Sequence, residues 1–204
     1  KGLRIYLMVD ISGSMKASIP RAKVCLEKLL PGFPLDKVHV SVFNTIGTEI
    51  TLKSSSAAGV AQAFLGKNAD GGTSYGEGVR VLSRHKPGPD EDALFLFVGD
   101  QGQASTFTAH VRASGINPVA FGLLALKGDP GHTVEYTAAE LGIPCFQFDE
   151  RAFDDPYAVP RTLRNLVAAA PVNRALTAPA AAPRVTLVHQ ILRTDLLQKP
   201  VWAV

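Results

Sequence analysis

LRIYLMVDISGSM, Leu3–Met15, is the stretch on which the fold turns. Its first seven residues carry a single charge, Arg4, and are otherwise dominated by Leu, Ile, Met and Val. Such a run predicts a strand buried on both faces, as in a parallel sheet. The run stops at Asp10, passes through Ser12-Gly13-Ser14, and gives way to a helical pattern from Ile19. In open α/β sheets, ligands bind beyond the carboxyl ends of the strands. Asp10, Ser12 and Ser14 thus present three oxygen-bearing side chains, at alternate positions, where such folds do their chemistry.

Working outward, Ile19–Leu30 has an apolar helical face with Pro20 in its first turn, and Pro31–Pro34 ends it. Lys37–Asn44 alternates with Val38, Val40 and Val42 inward. Glu49–Leu52 reads as a short antiparallel partner, joined by a hairpin through Gly47. Ser56 caps a short helix running to Leu65, and Asn68–Thr73 leads into a helix over Ser74–Arg84. Ala93–Val98 is a second fully apolar strand, ending at Gly99-Asp100. Helices over Ser105–Ser114 and Thr133–Leu141 alternate with strands over Ile116–Leu124 and Pro144–Phe148, and a helix over Pro160–Ala170 closes the pattern. This alternation predicts a doubly wound, mostly parallel sheet flanked by helices, with one short antiparallel edge strand.

The 204 residues suit one domain, placed at 1–170, and an appendage at 171–204. The appendage holds an Ala/Pro-rich linker over Thr177–Pro183 and one possible strand over Arg184–Leu192, which needs a sheet edge to pair with. It also carries the whole net charge of +3, through Arg174, Arg184, Arg193 and Lys199 against Asp195. A charge this small and dispersed does not indicate nucleic-acid binding. No apolar run reaches membrane-spanning length. Cys25 and Cys145 fall in a predicted helix and strand, reading as free thiols in a reducing compartment. A cytoplasmic setting is expected, an extracellular one being the alternative. The chain begins at Lys1, one residue before a strand, and is expected to be a piece of a longer polypeptide.

Three loops bring chemistry to one sheet edge: Asp10-x-Ser12-x-Ser14, Gly71-Gly72-Thr73 and Gly99-Asp100. They offer oxygen donors only. That speaks against a typical zinc site and suits a hard cation such as Mg²⁺, Mn²⁺ or Ca²⁺. Three neutral hydroxyls and two carboxylates leave such an ion underneutralised. An acidic oxygen from another molecule, an Asp or Glu of a protein partner, is the natural occupant of its open position.

The pattern resembles the von Willebrand factor A (VWA) domain and its metal-ion-dependent adhesion site (MIDAS). Asp10, Ser12 and Ser14 match the family's DxSxS, Thr73 its threonine before a helix, and Asp100 its second aspartate. The resemblance covers about Leu3–Ala170 and implies a Rossmann-like fold. It implies direct metal contacts from Ser12 and Ser14, a direct or water-mediated one from Thr73, and mostly water-mediated ones from Asp10 and Asp100. The family's Asp-Gly is here Asp100-Gln101-Gly102, which removes no ligand. The compact spacing is also similar to the metal-site domain of Ro-type RNA-binding proteins, although no RNA-binding repeat segment is present.

Plainer readings compete. The serines of the first loop could merely cap the next helix, and Thr73 could be the N-cap of its own. Gly72–Gly76 spells the GxSxG of a hydrolase nucleophile elbow, but that motif needs a strand directly before it. Asp10 as a phosphatase nucleophile would want a second Asp where Ser12 stands. His39, His85, His110, His132 and His189 are scattered, with no pair at metal-ligand spacing, and read as surface or structural residues. The expected function is a non-enzymatic, metal-dependent protein-interaction module. The alternative is a VWA domain within an intracellular assembly, a Ro-type ribonucleoprotein or an ATPase-associated complex, with a hydrolase as a remote third.

Overall fold

The computed structural model describes residues 2–54, 56–64, 66–100, 106–126 and 132–149, together with helical positions at Arg164 and Ala168. The rest of the helix predicted over 160–170, the linker over 177–183 and the strand over 184–192 lie outside the described residues.

The apolar run beginning at Leu3 forms β1, Gly2–Asp10, and the second apolar run forms β4, Glu91–Gly99. They pair in parallel from Gly2↔Glu91 to Val9↔Val98. Around them β2 (Val38–Phe43), β3 (Gly47–Ile50), β5 (Pro118–Ala125) and β6 (Cys145–Asp149) complete a six-stranded sheet in the order β3-β2-β1-β4-β5-β6. Only β3 is antiparallel, set against β2 from Phe43↔Gly47 to Val40↔Ile50. The hairpin expected through Gly47 turns instead over Asn44–Ile46. Asn44 makes that turn itself, its side-chain oxygen accepting the Ile46 N–H at 2.9 Å, so Gly47 is freed to enter the ladder.

Strand alternation divides the core into two layers. Ile5, Leu7 and Val9 of β1 and Leu94, Leu96 and Val98 of β4 pack with α1 (Ile19–Leu29) and α2 (Ala57–Ala63). α1 turns Ile19, Ala22, Cys25, Leu26 and Leu29 inward, and Ser56 caps α2 by accepting the Gly59 N–H at 3.2 Å. On the other face lie α3 (Tyr75–Leu82), α4 (Phe107–Ser114) and α5 (Thr133–Leu141). They cover Tyr6, Met8, Phe43, Phe95, Phe97 and Phe121. Aromatic edges and faces meet throughout this layer, with Phe97 and Phe107 T-shaped at 5.3 Å. Removing one such ring costs about 3–5 kcal/mol. β2 is therefore buried on both sides, with Val40 and Val42 on one face and Ser41 and Phe43 on the other. Ser41 is a buried polar residue with a partner: its hydroxyl donates to the Gly78 carbonyl at 2.9 Å, fastening β2 to α3.

The chain winds from β1 toward β2 and returns to β4 on the opposite flank, so the winding reverses between β1 and β4. Their carboxyl ends carry Asp10 and, one residue past the strand, Asp100.

Candidate metal centre

Asp10 is the last residue of β1 and is fully buried. One carboxylate oxygen, Oδ1, accepts the Ser12 backbone N–H at 2.7 Å. This bond folds the chain back over the strand end and starts a 3₁₀ turn over Gly13–Ala17. Ser12 stands at the N-cap of that turn, yet its hydroxyl caps nothing. It lies 3.0 Å from the Ser14 hydroxyl instead. The plainer reading of these serines, as helix caps, is not what the chain does. Ser12 is buried and Ser14 exposed, so the pair reaches from the sheet edge to solvent.

The second loop is held against the first by main-chain bonds. Gly13 N donates to Gly71 O at 2.9 Å and Asp70 N to Ile11 O at 3.0 Å. Gly71 makes this approach with φ of 71°, a conformation that favours glycine. The hairpin turn braces the other side, with Ser74 N donating to Asn44 O at 2.8 Å and the Asn44 side-chain amide to Asp70 O at 3.0 Å. Thr73 lies half-buried between these supports. The N-cap position of α3 belongs to Ser74, one residue later, which leaves the Thr73 hydroxyl outside the capping role.

Asp100 is also buried, and it adds its negative charge to the surroundings of Asp10. Burial is the main cause that pushes Asp10 up to about 6. The Ser12 N–H and hydroxyl pull the other way, and the neighbouring Asp100 pushes it further up. Asp10 Oδ2 is buried and receives no hydrogen bond from a donor among the described residues. Two buried carboxylates side by side, one oxygen lacking a donor, fit a divalent cation by charge and by donor chemistry.

Sequence reasoning placed Gly99 in the third loop but missed its packing role. A Cβ there would stand 2.8 Å from the Asp10 Cβ and 3.4 Å from its Oδ2, so only glycine allows β4 to pass this close to the carboxylate. The signal available was its position immediately before Asp100. Sequence reasoning also left the histidines apart, whereas the fold gathers two of them. His39 and His85 stack with ring centroids 4.1 Å apart, beside Glu49. Burial, with His85 and Arg4 nearby, lowers His39 to about 4.

No protein-family model and no curated protein matches the sequence. Solved structures do resemble the fold. An aerotolerance-related membrane protein from Bacteroides fragilis aligns over 80% of this chain and all of its own, with TM-score 0.57 and 16% identity. A von Willebrand factor type A structure from Catenulispora acidiphila aligns over 82% of this chain and 42% of its own, with TM-score 0.54 and 16% identity. The fold is that of a von Willebrand factor type A domain. A further VWA-like match is proximal thread matrix protein 1 from the mussel byssus, with its MIDAS motif occupied by zinc. It covers 82% of this chain and 46% of its own at TM-score 0.55 and 15% identity. In this VWA fold Asp10, Ser12 and Ser14 are joined by hydrogen bonds. Asp100 faces them from the adjacent strand end, and the loop of Thr73 is bound to theirs through the backbone.

Proposed function

We propose that this VWA domain is a non-enzymatic protein-interaction module. A divalent cation held by Asp10, Ser12, Ser14, Thr73 and Asp100 receives an Asp or Glu side chain of a partner protein. The observation that carries the reading is the Asp10–Asp100 pair: buried, like-charged, with Asp10 Oδ2 lacking a donor among the described residues. A cation relieves both the repulsion and the missing partner. The three hydroxyls add donors without charge, so the ion keeps affinity for an external carboxylate. Mg²⁺, Mn²⁺ and Ca²⁺ fit the oxygen donors. The zinc held by the mussel protein's motif makes Zn²⁺ a competitor to include in every titration.

The hydrolase alternative loses its main support. The residues before Ser74 form a loop and not the strand that a nucleophile elbow requires. A reducing compartment such as the cytoplasm is the proposed setting, on the sequence's count of two cysteines that do not bracket the domain. No described helix is long and apolar enough to cross a membrane.

Calorimetric titration with Mg²⁺ and Mn²⁺, followed by binding of a peptide bearing one Glu, tests the reading. Saturable cation binding, and peptide binding that requires the cation, are expected. An Asp10→Ala variant that stays folded and binds cation as tightly as the natural sequence would refute it.

A further inference from the structure

At the amino-terminal end of the same sheet, three residues far apart in sequence converge. His39 lies in β2 opposite Tyr6 of β1, Glu49 lies in β3 opposite Ser41, and His85 follows the end of α3. His85 Nε2 is 2.7 Å from Glu49 Oε1. One ring nitrogen of each histidine and one carboxylate oxygen of Glu49 all lie within 4.8 Å of one another. The His85 and Glu49 side chains are 28% and 19% exposed, so water and ions reach them. Tyr6 and Asp10 are four residues apart along β1, which puts this cluster about 13 Å from the Asp10 loop.

The geometry points to a second cation site, in which His39, Glu49 and His85 bind a borderline transition metal such as Zn²⁺ and leave a fourth position open to water or an external ligand. This inference is independent of the cation proposed at Asp10.

Two imidazoles and one carboxylate are a donor set that suits zinc and its neighbours, unlike the oxygen-only loops at the other end of the sheet. The groups around the cluster are arranged as supports for ligands. Arg84 pairs with the second Glu49 oxygen, Oε2, which leaves Oε1 to His85, and its Nε lies 3.2 Å from His85 Nε2 as a donor to that ring. The Tyr6 hydroxyl donates to the His85 carbonyl and anchors the segment that carries that ring. Arg4 NH1 lies 3.0 Å from His39 Nε2, and a guanidinium can only donate, so that nitrogen carries a lone pair. The cation takes over this lone pair. Arg4 does not lose its main partner in the exchange, because its Nε is paired with Glu91 at 2.7 Å. Donors of a tetrahedral zinc site lie about 3.3 Å apart, so from separations within 4.8 Å the three close by no more than about 1.5 Å, within reach of side-chain rotation.

Cobalt(II) titrated into the full chain separates the two sites, because four-coordinate Co²⁺ with nitrogen ligands absorbs visible light far more strongly than six-coordinate Co²⁺ among oxygens. One strongly absorbing equivalent is expected. It should persist in Asp10→Ala, bleach on addition of Zn²⁺, and bind at least tenfold more weakly in His85→Ala and in Glu49→Gln. Circular dichroism checks that each variant is folded. His85→Gln, which can still hydrogen-bond to Glu49, serves if the alanine variant is not. Weak absorption from the natural sequence, or strong absorption unchanged in folded His85 and Glu49 variants, would overturn the site.

Discussion

The backbone of Gly99 passes so close to Asp10 that a single added methyl group would meet the Asp10 Cβ at 2.8 Å. The carboxylate that ends β1 is thus held in place by an absence on β4. Gly99→Ala must move one strand end or rotate Asp10 away from Ser12. We expect a folded protein that loses about 1–3 kcal/mol of stability, typical of overpacking. Its divalent-cation affinity should fall at least tenfold, measured by calorimetry beside a thermal melt.

The pH dependence of stability isolates Asp10. Its folded-state value of about 6 lies above the usual 3.8, so the neutral form favours the fold. Without a divalent cation, this contribution is fully present below pH 4 and is lost as pH rises through 6. Asp10→Asn keeps an oxygen for the Ser12 N–H but cannot ionise. At pH 7.5 and in chelator, that variant should be more stable than the natural sequence, by on the order of 1–3 kcal/mol. The gap should close by pH 4. Urea unfolding at several pH values measures it.

Cation binding should reverse that order. At a free Mg²⁺ concentration 100-fold above its Kd, a site present only in the folded chain adds about 2.7 kcal/mol. The natural sequence should gain thermal stability with Mg²⁺, Thr73→Ala should gain less, and Asp10→Asn should gain nothing. A melt series in Mg²⁺ reads all three.

Glu91 works in the opposite direction at the far end of the sheet. Arg4, the Gly88 N–H and Lys37 hold its carboxyl well below the usual carboxylate range, so its contribution is present at neutral pH and is lost on strong acidification. Glu91→Gln should cost about 1.5–3 kcal/mol at pH 7, the scale of hydrogen bonds to a charged group. The cost should shrink as pH falls below 4. Its pH profile should be the mirror image of that for Asp10→Asn.

The sheet was legible because its central strands announce themselves. β1 is an apolar run that ends in Asp10 and β4 one followed directly by Asp100, and the period of the helices matches the inward residues of α1 and α3. Asp10, Ser12, Ser14, Thr73 and Asp100 could be named because each sits at a strand end or a helix entrance. Gly47 was misplaced because Asn44 closes the turn with its own side chain, a competition between Asn and Gly that spacing does not decide. His39, Glu49 and His85 left no sequence signature. Forty-six positions separate the histidines, and only the β2–β3 register and the exit of α3 bring them together. The packing role of Gly99 was silent for a similar reason, since that role is to contribute no atoms.

Three of the bonds that tie the Asp10 loop, the Gly71 loop and the hairpin turn together are main-chain ones, Gly13 to Gly71, Asp70 to Ile11 and Ser74 to Asn44, and the Asn44 amide adds a side-chain bond to Asp70. The Ile46 side chain takes no part in them. Ile46, 65% exposed beside this scaffold, can be exchanged for residues of another size or charge while the cradle beneath keeps its shape. If the proposed cation site holds, taste for one partner over another can therefore drift, or be engineered, without rebuilding the loops beneath it.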